Sequence, residues 1–278
     1  MTKTISTLGL LMLTAFASAA DLAAILEQQP DEVQARYQYR HPQKTLDFFG
    51  IEPGMTVVEA LPGGGWYSKI LLPYLGTDGR LIGADYAYEM WPKFGFFSEE
   101  FIAGRKTWVG DWTAEAEGWG GAGSAGVSAF QLGSMPDEMA GTADAVLFIR
   151  ALHNLARFEG DGGYLSAALA DAHRVLKPGG IVGVVQHHAR DDRPDAWADG
   201  SRGYLKQDFV IAQMQRAGFE FVAESDLHAN PKDRPGDDDV VWRLPPGLQG
   251  SRDDPEAAAK MQAIGESNRM TLKFRKPE

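Results

Sequence analysis

The sequence predicts an α/β protein built on a parallel-rich sheet with helices on both faces. Short, nearly continuous apolar runs alternate with helix-like stretches, and such strands belong to sheets buried on both sides. The first run also passes into the first helix through a glycine turn, Pro62-Gly63-Gly64-Gly65, the connection of a strand–turn–helix unit.

Taken in order, the chain opens with Lys3, an apolar stretch from Leu8 to Phe16, and the small residues Ala17-Ser18-Ala19-Ala20. This is the pattern of a cleavable secretory signal peptide over residues 1–20, too short for a permanent membrane anchor. It predicts a periplasmic or secreted protein beginning at Asp21, with residues 21–278 as a single domain. Residues 21–52 carry spaced apolar side chains interrupted by Pro30 and Pro42, a helical lead-in. Thr56 to Ala60 is the first strand, Trp66 to Leu75 the first core helix, Leu81 to Ala84 the second strand, Val127 to Phe130 the third, and Ala145 to Ile149 the fourth. Tyr164 to Leu176 reads as a helix stopped by Lys177-Pro178-Gly179-Gly180, with a strand at Ile181 to Val185. A helix over Phe209 to Ala217, a strand over Phe219 to Ala223 and a closing strand over Met270 to Phe274 complete the alternation. Two stretches break the rhythm: Asp111 to Gly126, rich in Gly and Ala, and residues 227–267, a long loop or lid.

Of the 278 residues, 27 are Lys or Arg and 38 are Asp or Glu, a net charge of −11 that argues against a nucleic-acid partner. A chain of this length buries enough surface to be stable without disulfides, and it has no cysteine to form one. The expected partner is a small molecule; the oligomeric state is not legible.

Read together, Pro53-Gly54-Met55-Thr56-Val57-Val58-Glu59, the glycine turn, Gly83-Ala84-Asp85, Asp144-Ala145-Val146-Leu147-Phe148 and Arg174-Val175-Leu176-Lys177-Pro178-Gly179-Gly180 resemble the successive motifs of class I S-adenosylmethionine-dependent methyltransferases. The wording around the glycine turn, together with the leader, looks most like an exported bacterial subgroup. The resemblance runs from Pro53 to Gln186. It implies a Rossmann-like, seven-stranded, mostly parallel sheet whose last strand is antiparallel, and S-adenosylmethionine as cofactor. It further implies that Glu59 helps hold the amino-acid end of the cofactor, and that Gly63, Gly64 and Gly65 let the backbone approach it. Leu61 stands where the family has a further glycine. Asp85 matches the acid that accepts both ribose hydroxyls, Ser134 takes the place of an adenine-side acid, and Arg150 belongs to the cofactor-binding set.

The same turn also imitates a dinucleotide fingerprint, Gly63-x-Gly65-x-x-Ser68 with Asp85 about 20 residues on, but Ser68 replaces the last glycine. Asp85 has a blander reading as a helix cap. For chemistry, the strand ends offer His153 and His187 as candidate bases. His188 points to the opposite face from His187 while the strand stays regular. The alternative for these residues, a metal site with Asp191 or Asp192, lacks a diagnostic spacing, so no metal is expected. Trp91, Phe94, Phe96, Phe97 and Phe101 pack a core or wall a pocket. Arg36, Arg40 and His41 either reach an anionic ligand or pair with surface acids. The function expected is methyl transfer to a small molecule. The alternative is a non-catalytic ligand-binding protein on the same scaffold, since export separates the chain from the cytoplasmic cofactor pool and a fold does not dictate its activity.

Overall fold

Burial alternates so tightly along the strands that neighbouring residues belong to different cores. In the computed structural model, which describes residues 21–278, Val57, Leu81, Ala145 and Leu147 pack on one side of the sheet, and Val58, Ile82, Val146 and Phe148 on the other. The two-residue period of an extended chain produces this division, and an apolar residue at every position is what two covered faces require. The expected leader, residues 1–20, lies outside the described residues.

The strands are β1 (Thr56–Ala60), β2 (Arg80–Asp85), β3 (Gly126–Gln131), β4 (Ala143–Ile149), β5 (Leu176–His187), β6 (Glu220–Ser225) and β7 (Arg269–Arg275). They form one seven-stranded sheet in the order β3-β2-β1-β4-β5-β7-β6. The pairs β1–β2, β2–β3, β1–β4 and β4–β5 are parallel, while β7 runs antiparallel to both β5 and β6, as the resemblance implied. The chain winds outward from β1 through β2 to β3, then returns to place β4 on β1's other side. The crevice between β1 and β4 is therefore the switch point where ligands bind in such sheets.

One face is covered by the helices Leu22–Glu27, Pro42–Phe49, Ser68–Leu75 and Trp108–Trp119, the other by Leu152–Arg157, Tyr164–Val175 and Gln207–Arg216. The stretch expected to be irregular from Asp111 is helical as far as Trp119. Trp108, Trp112 and Ala116, four apart, are its buried stripe, a rhythm masked by the intervening Gly and Ala residues. The helix expected from Trp66 begins at Ser68. Residues 227–267 also hold more order than expected: the helix Pro255–Ile264 starts on Asp254, whose side chain accepts from the Glu256 and Ala257 amides, with proline at the first helical position.

Two strand glycines set how closely the helices approach. A Cβ on Gly83 of β2 would lie 2.6 Å from the Trp112 ring, and one on Gly183 of β5 would lie 2.7 Å from Phe49. Aromatic rings occupy the space that side chains would need. Replacing Gly83 by Ala, which in a permissive strand would gain stability through the unfolded state, is expected instead to cost about 1–3 kcal/mol by overpacking. Thermal denaturation checks this, and an unchanged or higher Tm would show that the Trp112 helix yields freely.

Candidate functional site

A cavity of about 550 Å³ opens at the carboxyl ends of β2, β1, β4 and β5. That volume suits a small ligand. The turn after β1 forms its floor. Leu61, where the resemblance implied a glycine, adopts a left-handed backbone, φ 55°, as do Gly63 at 56° and Gly65 at 77°. A branched residue thus holds a left-handed, strained conformation, a kind of outlier that gathers at ligand sites. The Leu61 amide donates to the Ala84 carbonyl, 2.7 Å, which ties the turn to the end of β2.

The three motif glycines do different things. Gly63 lines the cavity, whereas Gly64 and Gly65 do not. A Cβ on Gly65 would fall 2.4 Å from the Trp119 ring, while one on Gly64 meets open space. Gly65 is a packing glycine. Gly65→Ala is therefore expected to lower Tm by several degrees while Gly64→Ala leaves it within about a degree, a contrast that calorimetric melting of the two variants reads directly.

Glu59 differs from its expected role. It shares a sheet face with Val57, so it turns toward the helix Ser68–Leu75, accepts a 2.6 Å hydrogen bond from Ser68 Oγ, and does not line the cavity. Burial pushes its carboxyl up to about 8, only partly offset by Ser68, which favours the protonated, uncharged form. Ser134 is exposed beyond β3 and also lies outside the cavity lining. A surface loop end, not a pocket wall, is where Leu132-Gly133-Ser134 leads; the Gly133 amide there donates to Asp171 Oδ2.

Asp85, the last residue of β2, is 6% exposed and lines the cavity. Its Oδ2 is buried with no hydrogen-bond partner; the nearest cation, Arg105 Nη1, stands 4.0 Å away. Burial pushes the carboxyl up to about 7, with the Tyr86 amide and Arg105 pulling the other way. Three more buried polar atoms at this end lack partners: Arg105 Nε, Trp91 Nε1 and Asn154 Oδ1. Unsatisfied buried groups are costly, and a cluster of them in one pocket marks a place built for a polar ligand. The aromatic region resolves into both of its readings. Phe94 and Phe97 pack on the core, while Trp91, Phe101 and Trp108 wall the cavity, with the Arg105 guanidinium 4.5 Å over the Phe101 ring.

At the other end, Arg150 and His153 follow β4 and His187 ends β5; all three line the cavity. The two imidazoles lie 5.4 Å apart, His187 Nδ1 is 2.6 Å from Ser267 Oγ, and His153 Nδ1 is 3.4 Å from Gln186 Oε1. Burial lowers both: His153 to about 4, where Gln186 opposes the change and Arg150 adds to it, and His187 well below its ordinary value, with His153 and the arginines adding to it. Both rings are neutral at physiological pH. A base as weak as His153 has little drive to take a proton there, so hydrogen bonding to an acceptor is the chemistry these rings offer.

The long 227–267 segment forms part of the wall: Val241, Trp242, Leu244, Pro245, Pro246, Gly247, Glu266 and Ser267 face the cavity. A buried triad pins it. Tyr204 Oη donates to Asp233, 3.0 Å; Arg243 bonds both, at 2.8 Å to Asp233 Oδ1 and 2.9 Å to Tyr204 Oη. Sequence reading missed Glu266, Arg269, Arg105 and Trp242. Glu266 is buried and binds Arg36, Arg40 at 3.4 Å and Arg269 at 3.1 Å. Arg36 and Arg40 therefore pair with an acid, but a buried one beside the cavity, and His41 lies apart, against His228. Among the described residues no group of three His, Cys, Asp or Glu could hold a metal, and no helix is long and apolar enough to cross a membrane.

No family model and no curated protein sequence matches the chain. Solved structures do. The [4+2]-cyclase SpnF is similar at 18% identity and TM-score 0.50, over 86% of this chain and 80% of that one. A chain in the complex of the Haloferax volcanii Trm112 methyltransferase activator with a provisionally assigned methyltransferase is similar at 15% identity and TM-score 0.50, over 93% and 99%. A Galdieria sulphuraria protein provisionally assigned as a sarcosine dimethylglycine methyltransferase follows at 12% identity and TM-score 0.50, over 91% and 90%. At such identities the likeness carries the fold, the Rossmann-like fold of methyltransferases, and one of these three proteins is a cyclase.

Proposed function

We propose that the cavity binds S-adenosylmethionine and that the protein methylates a small molecule. The observation that carries this reading is the buried, unpartnered Oδ2 of Asp85 at the end of β2. An ionised carboxylate there accepts two hydroxyl hydrogen bonds at once, which is what a ribose edge offers. Gly63 lets the main chain come close beside it. Trp91, Phe101 and Trp108 supply flat apolar surface for a base, and Trp91 Nε1 and Asn154 Oδ1 are polar atoms still in want of partners.

The cofactor, when bound, supplies an electrophilic methyl group on a sulfonium. The protein's own share is positioning, which for such a transfer carries most of the rate advantage. His153 and His187, neutral and held by Gln186 and Ser267, orient the acceptor by hydrogen bonding, while the Trp242–Gly247 wall keeps water away from it. The leader-like residues 1–20 carry the further proposal that this occurs outside the cytoplasm.

Calorimetric titration of the full chain with S-adenosylmethionine and with S-adenosylhomocysteine tests the assignment. Micromolar binding, about −8 kcal/mol, is expected. A folded chain giving no heat with either ligand would overturn it.

A further inference from the structure

The end of the cavity opposite Asp85 has an excess of positive charge that the protein does not itself neutralise. Four guanidinium groups, those of Arg36, Arg40, Arg150 and Arg269, surround a single buried carboxylate, Glu266. Three share it. Arg36 and Arg40 bond to Oε1 and Arg269 Nη1 to Oε2 at 3.1 Å, so both oxygens are taken. Arg269 spends its remaining donors on the carbonyls of Ser267 and Tyr39. Arg40 is 3% exposed, and its Nη1 is buried with no acceptor. Among the described residues the Arg150 guanidinium makes no hydrogen bond or ion pair, and Arg150 lines the cavity. Its backbone is held left-handed, φ 59°, with its amide bonded to the Val185 carbonyl at 2.6 Å. A long side chain at a strained position directly after β4, carrying an unpaired charge into a pocket, is an arrangement with a cost and no structural return. The cationic groups also repel one another: burial first, and then the neighbouring arginine charges, lower Arg40 to about 9 and depress Arg150, with Glu266 opposing both.

We infer that this end of the cavity binds the methyl acceptor through an oxyanion, a carboxylate or phosphate, received by Arg150 with Arg40 behind it. The inference rests on the cofactor reading for its placement. Asp85 ends β2 and Arg150 follows β4, two strand positions away across β1, about 10 Å at a spacing of about 4.8 Å per strand. We therefore reassign Arg150 from the cofactor-binding set that the resemblance implied: with the ribose seated on Asp85, the arginine end is left to the anionic group of the acceptor. Guanidinium is suited to that group, since its planar fork meets two oxygens at once. Glu266 also faces the cavity, and because both its oxygens are engaged by arginines it limits the site to a single small anion rather than closing it.

The test is calorimetric titration of the full chain with benzoate and with inorganic phosphate, benzamide serving as the uncharged control, first alone and then with the chain saturated with S-adenosylhomocysteine. Saturable binding of either anion in both states, absent with benzamide and weakened at least tenfold in Arg150→Gln, is the expected result; which anion binds more tightly tells carboxylate from phosphate. In that variant S-adenosylhomocysteine affinity should change less than twofold. Arg150→Gly removes the same charge while relieving the left-handed backbone, so it stands in if the Gln variant does not fold. If S-adenosylhomocysteine displaces the anions and itself loses tenfold in the variant, while 5′-methylthioadenosine, which has no carboxylate, loses nothing, the arginines serve the cofactor and the inference is overturned. Absence of anion binding in every state overturns it as well. Anion binding that depends on Arg150 in a chain that never binds S-adenosylhomocysteine would uphold the arginine site and remove the cofactor reading instead.

Discussion

Asp85→Asn is expected to abolish cofactor binding and, at the same time, to raise the melting temperature at pH 8. The two effects have one cause. Oδ2 of the carboxylate has no hydrogen-bond partner in a buried pocket, and burial, outweighing the Tyr86 amide and Arg105, pushes the pKa from the ordinary 3.8 to about 7. For an acid raised in the folded state the linkage runs opposite to the usual one: the cost is absent below the unfolded value, grows between about pH 4 and pH 7, and is complete above that. About three units at 1.4 kcal/mol each corresponds to a penalty on the order of 4 kcal/mol in the ligand-free chain at pH 8. Asparagine removes it. On the proposed reading it also removes two charge-assisted hydrogen bonds to the ribose, each about 1.5–3 kcal/mol, so affinity for S-adenosylhomocysteine should fall by about a hundredfold or more. In the unsubstituted chain that affinity should strengthen as pH rises through about 7, because only the ionised form accepts from both hydroxyls. A Tm that falls in Asp85→Asn at pH 8 would mean that the carboxylate is paired after all, and unaltered affinity would remove the ribose assignment.

The second large effect concerns the arginine cluster. Glu266→Gln leaves Arg36, Arg40 and Arg269 without their shared counter-charge, and breaking a buried pair by removing one partner costs about 3–5 kcal/mol. For a chain of this size that corresponds to a fall in Tm of roughly 10 °C. Burial alone would raise the Glu266 carboxyl, but the surrounding arginines outweigh it and hold it below the ordinary range. Its contribution is therefore present at neutral pH and lost as pH falls through that depressed value. The loss of Tm as the pH falls from neutral to below that depressed value should accordingly be smaller in Glu266→Gln than in the unsubstituted chain. Thermal melts across that pH range check it, and a Tm within two degrees of the original at pH 7 would show that the cluster tolerates its charge unaided.

The two sites differ in how far they could be read from the chain. The place of Asp85 is legible because it is set locally: a β-branched run, a glycine turn and a second short strand put an acid at a strand end, while its role came from the resemblance. The strands were legible for the same reason. The role of Glu59 was likewise carried over from the resemblance, while the alternation along β1, which turns it to the helix face and to Ser68, is what the sequence period itself dictates. Glu266 carries no local mark. It sits in a polar, proline-rich stretch, and its partner Arg36 is 230 residues away, a pairing only the completed sheet brings about. The helices within residues 108–119 and 255–264 were obscured by Gly and Ala content and by prolines, although an Asp-Pro-Glu start announced the second.

The place of β7 in the sheet also governs the order in which the molecule can be assembled. It is the last strand in sequence yet lies between β5 and β6, so β6 has nothing to pair with, and β5 keeps an open edge, until the chain is translated through Arg275. Glu266 and Ser267, which complete the cavity wall, arrive just before it. A nascent chain can thus form β1 to β5 with their helices while the pocket still lacks a side. Contacts of such sequence separation slow folding, because a long loop must close before they return any stability, and meanwhile an apolar strand edge is exposed to neighbouring chains. The pocket wall that Glu266 and Ser267 complete is therefore among the last parts the chain can put in place, and a chain interrupted before its final strand leaves that wall without the strand that follows and anchors it.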